Sequence, residues 1–240
     1  MNFKLHASIP WNFSRGKYYR FLTPSAGITM IDIIHNASTP DRVTSGWITT
    51  LDYRLSFSQY IRSSVKDMFP RFGQTLDFYF RNTPFKNNSM GDIFSAQANL
   101  YFPGIFKHQG IMAYGAYQSY HRRTGTLYSF ANSINFPKGY TGYRDEQVMS
   151  LALNYKMPLF YPDLSLGSLV YFKRFKLNLF FDWAQGWTGK QANIYQSTGA
   201  ELTTDLHLLR FLYPFDLGVR MIYFPASATI GWEFLYSINL

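Results

Sequence analysis

Apolar and polar residues alternate at every second position over long stretches of the chain, which is the period of a β-strand. From Trp47 to Arg62 the odd positions carry side chains such as Leu51 and Phe57, and the even positions carry polar ones such as Asp52. The same alternation returns over residues 94–102, 149–159, 174–183, 215–223 and 230–240. We predict that each of these segments is a strand with one apolar face and one polar face.

Weaker alternation marks residues 3–13, 19–34, 74–81, 110–120, 127–135 and 200–211 as further strands. Clusters of Gly, Pro, Asn and Asp predict turns over residues 36–46, 82–92, 122–125, 136–147, 162–167 and 186–199. The total is about twelve strands, one of the even numbers typical of outer-membrane barrels. Because no linker or low-complexity tract interrupts the pattern, residues 1–240 are predicted to form a single all-β domain, a transmembrane antiparallel β-barrel.

Composition narrows the classes of protein that fit this pattern. Aromatic residues make up 20% of the chain, which excludes intrinsic disorder. No apolar run approaches the roughly 18 residues that a membrane-spanning helix requires. A soluble β-sandwich also has alternating strands, but here bulky aromatics recur on the apolar face, often near strand ends as an interfacial girdle requires. We therefore expect an outward-facing apolar set: Trp47, Leu51, Phe57, Leu153, Phe175, Phe181, Val219 and Phe234.

The net charge of +9 indicates an anionic neighbour. The basic turn His121-Arg122-Arg123 has no aromatic stacking platform beside it, so lipid phosphates, including those of lipopolysaccharide, are expected rather than nucleic acid.

Signatures of catalysis are missing from the sequence. The chain has no cysteine, no G-x-S-x-G elbow, no glycine-rich phosphate loop and no H-E-x-x-H motif. Glu201, Asp205 and His207 share one face of a predicted strand and suit a metal, but an inward face is expected to be polar in any case. We expect no enzyme activity, no cofactor and no metal.

Three stretches carry a resemblance to a known family, namely Phe136 to Tyr140, Ser150 to Pro158 and Phe180 to Trp187. They resemble the C-terminal third of the bacterial surface antigen family, the sixteen-stranded outer-membrane insertase and two-partner-secretion barrels. This resemblance implies five strands after the first stretch and further strands upstream of Met1, so that the chain is the C-terminal portion of a longer protein. Residues 68–74 and 101–104 are more weakly similar to barrels that follow β-propeller domains in Bacteroidota outer-membrane proteins.

In that family a loop carrying Arg-Gly-Phe/Tyr folds back into the lumen, and its Arg meets acidic residues on the next two strands. Carried over to this sequence, the resemblance implies a loop motif of Lys138, Gly139 and Tyr140 and a strand acid at Asp182. Two positions depart from the family, because Lys138 stands in place of Arg and Asn154 in place of the first strand's Glu.

Alternation places Asp182 on the polar face of its strand, where a carboxylate needs a partner or water. A cation on the returning loop would supply a charge-assisted hydrogen bond. We predict that Lys138, or failing that Arg144, bonds Asp182 as a lumenal tether. The alternative is a solvated loop, with Asp182 paired to a neighbouring-strand cation such as Lys156.

The final predicted strand ends in an apolar residue, Leu240, and we expect no tail behind it. Its alternating aromatics resemble the C-terminal signal by which outer-membrane barrels are recognised by their assembly machinery, although the family preference is a terminal Phe. The residues of this predicted signal are Gly231, Trp232, Phe234, Tyr236, Ile238 and Leu240.

The alternating strands predict a protein of the cell outer membrane, and the resemblance to the surface antigen family implies that it assists the insertion or translocation of polypeptides. Its expected partners are outer-membrane lipids including lipopolysaccharide, the assembly machinery and a polypeptide substrate. The alternative is a passive pore or a structural anchor for a soluble domain, and the departures at Lys138 and Asn154 raise its weight. A hydrolase embedded in a barrel has no support in the sequence.

Overall fold

The computed structural model describes residues 2–33, 46–85, 90–122, 129–141, 145–167, 169–208 and 215–238. Over these residues thirteen strands form one antiparallel sheet. The strands are β1 (Asn2–Ser8), β2 (Trp11–Asn12), β3 (Tyr18–Ile33), β4 (Gly46–Ile61), β5 (Gly73–Asn82), β6 (Gly91–Pro103), β7 (Gly110–Arg122), β8 (Gln147–Phe160), β9 (Leu164–Leu166), β10 (Val170–Thr188), β11 (Gln191–Leu208), β12 (Phe215–Phe224) and β13 (Thr229–Ile238). None of the described residues belongs to a helix that is long and apolar enough to cross a membrane.

The sheet is a meander in which each long strand pairs with the next one along the chain. Its order is β1-β3-β4-β5-β6-β7-β8-β10-β11-β12-β13, with the short β2 and β9 pairing at the margins of β3 and β10. Among the residues described, no ladder joins β1 to β13, so the sheet has two free edges and is not closed. The predicted antiparallel all-β architecture is confirmed, with thirteen strands in place of about twelve.

Three sequence predictions of local structure are wrong. The turn predicted over residues 162–167 contains the short strand β9, which pairs with β10. The strand predicted over residues 127–135 is absent over residues 129–135, because backbone N–H groups there donate to side chains of β7. The turn predicted over residues 186–199 is mostly strand, since β10 and β11 pair as far as Thr188 and Gln191. The glycines at 186 and 199 do not bend the chain, because Gly186 makes room for the Asp145 side chain and Gly199 for the Met221 backbone and the Phe180 ring.

The two faces of the sheet differ in the side chains that they bury and expose. On the inner face, defined here by the buried side chains of β4, β6–β8 and β10–β12, polar residues such as Asp182, Asn154 and Lys176 are at most 5% exposed. On the outer face Leu153 and Phe181 are each 50% exposed. The inner face also buries apolar side chains such as Ile93 and Val148, so it is mixed in character, whereas the outer face presents large apolar side chains that are normally buried.

The predicted outward set follows this division. Trp47, Leu153, Phe181, Val219 and Phe234 are exposed, and Leu51, Phe57 and Phe175 are half-buried at positions of the same parity.

An inner loop, residues 129–141, covers the inner face between β7 and β8. Its backbone N–H groups bond side chains of β7 instead of another strand: Ser133 N donates to Gln118 Oε1 at 2.8 Å and Asn135 N donates to the Tyr114 hydroxyl at 2.9 Å. Gln118 is fully buried. Buried backbone donors therefore find partners, and the loop is fixed along the length of β7.

Candidate functional site: the inner loop and its anchors

Lys138 fastens the inner loop to β10 through Asp182. The Lys138 backbone N–H donates to Asp182 Oδ2 at 3.0 Å, and its Nζ lies 3.2 Å from the same oxygen and 3.3 Å from Oδ1. The Asp182 side chain is 3% exposed and that of Lys138 is 21% exposed. The contact predicted from the sequence is present, and Lys138, not Lys156, is the cation that Asp182 meets.

Two further side chains complete the surroundings of the Lys138 ammonium. Asn154 Oδ1 on β8 accepts a hydrogen bond from Nζ at 3.3 Å. The Phe180 ring lies below Nζ, with its centroid 4.3 Å away, a distance at which the ring quadrupole attracts a cation. Asn154 stands where the surface antigen family has Glu, and it supplies a neutral acceptor instead. Among the described residues, this part-buried cation has a single carboxylate partner, Asp182.

A row of hydrogen bonds continues from this point across β10 to the free edge at β13. Asn178 Nδ2 donates to Asn154 Oδ1 at 3.1 Å and to Glu201 Oε2 at 2.9 Å. Arg220 then bonds Glu201 at 2.7 Å and Glu233 at 2.6 Å. Asn178, Glu201, Arg220 and Glu233 occupy directly opposed positions of successive strands.

Gly139 lets the loop approach β12 closely. Its φ of +84° lies in the left-handed region, and a Cβ added there would sit 2.5 Å from Phe224 Cζ and 3.0 Å from Ile222 Cδ1. Phe224 in turn packs edge-on against Tyr140, with ring centroids 5.3 Å apart. The Tyr140 hydroxyl donates to the Gln196 carbonyl oxygen at 3.1 Å. The motif Lys138-Gly139-Tyr140 therefore combines one ion pair, one close approach and one aromatic anchor.

Replacing Gly139 by alanine is expected to displace the loop from β12. An L-residue in the left-handed conformation would lower the free energy of unfolding by about 1–2 kcal/mol. Overpacking against β12 would lower it by about 1–3 kcal/mol more. Gly189→Ala is the matched control, because Gly189 also has a positive φ of +59° but has no atom within 4 Å of an added Cβ. Urea unfolding should show a larger loss for the variant at 139, and equal losses would contradict the close approach.

A second anchor, at Asp145, holds the chain where it returns to β8. Its carboxylate accepts hydrogen bonds from the Tyr195 hydroxyl at 2.9 Å and Asn193 Nδ2 at 3.0 Å, with Thr188 Oγ1 at 3.4 Å. Asp145 is 5% exposed, and it fills the space that a Cβ on Gly186 would need. Asp145 could not be found from the sequence, because its partners come from β10 and β11, more than forty residues away. Nothing in the sequence around this acid indicates partners so far along the chain.

A cavity of about 340 Å³ lies beside Lys138 and is lined by side chains that include Tyr114, Ser150 and Asp182. Within the described segments, no group of three or more His, Asp or Glu side chains is placed to hold a metal ion. Glu201 instead pairs with Arg220, and Asp205 pairs with Arg174 and Lys176.

The other predicted site residues are distributed as follows. Trp232, Phe234 and Tyr236 are 69%, 89% and 84% exposed on β13. Gly231 and Ile238 lie within the same strand. Arg144 and Leu240 lie outside the described residues.

No protein-family model matches the chain, and no curated protein matches it at a significant level.

Proposed function

We propose that this chain is an outer-membrane β-barrel protein, similar to the bacterial surface antigen family, that assists the insertion or translocation of polypeptides. The observation that carries the proposal is the loop at 129–141 fastened to the polar face of the sheet by Lys138 and Asp182. Removing the ion pair that holds this loop from water is costly. That cost favours a specific role for the inner loop over the function of a passive pore.

The membrane part of the proposal is supported by the outer face. Exposed apolar side chains on nearly every long strand, among them Leu153, Phe181 and Phe234, would be unfavourable in water and favourable in lipid. Outer-membrane lipids, including lipopolysaccharide, would then be its immediate neighbours. The aromatics of β13 would be the feature read by the assembly machinery. Closure of a barrel would require the free edges of β1 and β13 to pair, either with each other or with the further strands that the resemblance implies upstream of Met1.

Depletion of the protein from its native bacterium, followed by a census of outer-membrane proteins, tests the proposed activity. We expect several outer-membrane proteins to fall in abundance, and complementation with Asp182→Asn to restore them less well than complementation with the wild type. Asp163→Asn is the control, because Asp163 is exposed and bonds the Tyr171 hydroxyl, away from the inner loop. A census that stays unchanged while small-solute uptake falls would favour a passive pore instead.

A further inference from the structure

The loop that joins β4 to β5, residues 62–72, does not stay at the end of its own hairpin. The Val65 carbonyl oxygen accepts a hydrogen bond from Arg174 Nη1 on β10 at 3.4 Å. Lys66 Nζ lies 5.7 Å from the centre of the Tyr161 ring, beyond the end of β8. Because β6, β7 and β8 separate β5 from β10 in the sheet, this loop crosses the end of the curled inner face.

Asp67 fastens the loop to the turn between β6 and β7. Its Oδ1 lies 2.8 Å from His108 Nδ1, and its Oδ2 accepts the Ser64 N–H at 2.9 Å. Burial alone would raise the pKa of Asp67, but the hydrogen bonds from His108 and Ser64 and the charge of Arg71 lower it below its ordinary value. The carboxylate is therefore charged at neutral pH.

His108 is itself held in an uncommon conformation. Its φ is +66°, a value that few residues other than glycine adopt. The same residue accepts the Met68 N–H on its carbonyl oxygen at 3.1 Å. Backbone strain of this kind persists where the surroundings fix it, and here ring and carbonyl both face the loop.

Phe69 seats the middle of the loop on the inner face. Its Cβ would lie 3.0 Å from a Cβ added at Gly110, and its ring is 5.9 Å from that of Tyr101. Lys156 Nζ lies 5.9 Å from the Phe69 ring. Gly110 thus supplies the space for Phe69, at the start of β7.

We propose that residues 62–72 are a strap that closes the barrel at the end opposite to the inner loop, with Asp67 and His108 as its latch. The two segments enter from opposite ends because the strap reaches the start of β7 at Gly110, whereas the inner loop leaves β7 after Arg122. This inference rests on the proposed function, since closure has meaning only for a barrel in a membrane. It adds a second, independent barrier to the passage of solutes.

The position of the strap is tested by crosslinking in the detergent-purified protein. The chain has no cysteine, so a Phe69→Cys/Gly110→Cys pair introduces the only possible disulfide. Its Cβ atoms would start 3.0 Å apart, so they need to separate by only about 0.5 Å to reach the roughly 3.5–4.5 Å that the bond requires. We expect rapid, near-complete oxidation, detected by mass. The pair Val65→Cys/Gly110→Cys is the control and should stay reduced. Equal reactivity of the two pairs, or none in either, would overturn the strap whatever happens in membranes.

The closure itself is tested by solute uptake into vesicles that contain the protein. Asp67→Asn and His108→Ala each remove a hydrogen bond to a charged group. We expect that loss to shift the equilibrium between the closed and the open strap about tenfold toward the open form. We expect solute uptake to rise by that order, and Asp163→Asn to leave it unchanged. The disulfide of the Phe69→Cys/Gly110→Cys pair should suppress the rise in the Asp67→Asn background until reductant is added.

The outcomes separate the two proposals. A protein that crosslinks as expected but does not insert into vesicles would contradict the membrane function and leave the strap standing. A protein that inserts, yet takes up solute at the same rate in wild type, Asp67→Asn and His108→Ala, would contradict closure by the strap and leave the membrane function standing.

Discussion

Asp182→Ala is expected to lower the free energy of unfolding by about 3 kcal/mol, the lower end of the range for a buried pair, because it leaves the part-buried Lys138 ammonium without its counter-charge. Lys138 would retain only Asn154 and the Phe180 ring as partners. Urea unfolding measures the loss. Trypsin reports on the loop directly, since the peptide bond after Lys138 is protected while the ammonium is bound and becomes cleavable once it is released.

Asp77→Ala provides a control on the same face. Asp77 pairs with Arg54, whose side chain is 53% exposed, and its hydrogen bonds go to side chains of β4 and β6. Such a half-exposed pair contributes little, so a small loss and continued protection of Lys138 are expected. The double variant Lys138→Ala/Asp182→Ala should lose less than the sum of the two single variants, as contacting residues do. Strict additivity, or unchanged trypsin protection in Asp182→Ala, would show that the pair does not hold the loop.

The strands could be predicted because period-two alternation is a local property. Residues 149–159 alternate over their whole length, and β8 covers them with the predicted parity. The prediction of a strand from alternation was wrong where polar side chains of another strand accept the backbone N–H groups. Ser133 and Asn135 look like strand residues, but Gln118 and Tyr114 bond their N–H groups, and nothing near residue 133 in the sequence reveals that.

The candidate site was predictable only in part, for a similar reason. Lys138 and Asp182 were found because a short motif and strand parity together placed a cation and an acid on one face. Asp145 and Tyr195 were missed, since a carboxylate held by neutral donors leaves no charge pattern to search for. The strap was missed as well. Its latch joins Asp67 to His108 across forty-one residues, and neither residue stands out in its own segment.

Leu153→Arg is expected to lower the free energy of unfolding, measured in lipid vesicles, by about 2–4 kcal/mol. This is the range for an arginine on the lipid-facing side of a barrel at the bilayer midplane. Leu153 is 50% exposed on the outer face, and its strand partners there are Ala113 and Phe181.

Leu159→Arg is the matched control for depth, because Leu159 is 45% exposed near the end of the same strand. An arginine close to the interface costs about 0–1 kcal/mol. In water neither position has lipid to disturb, and exposed surface substitutions stay within about 0.5 kcal/mol. A large difference between the two variants in vesicles would therefore mark the outer face as lipid-facing. Two equally small losses, in vesicles as in detergent, would identify the outer face as a solvated surface and remove the membrane from the proposed function.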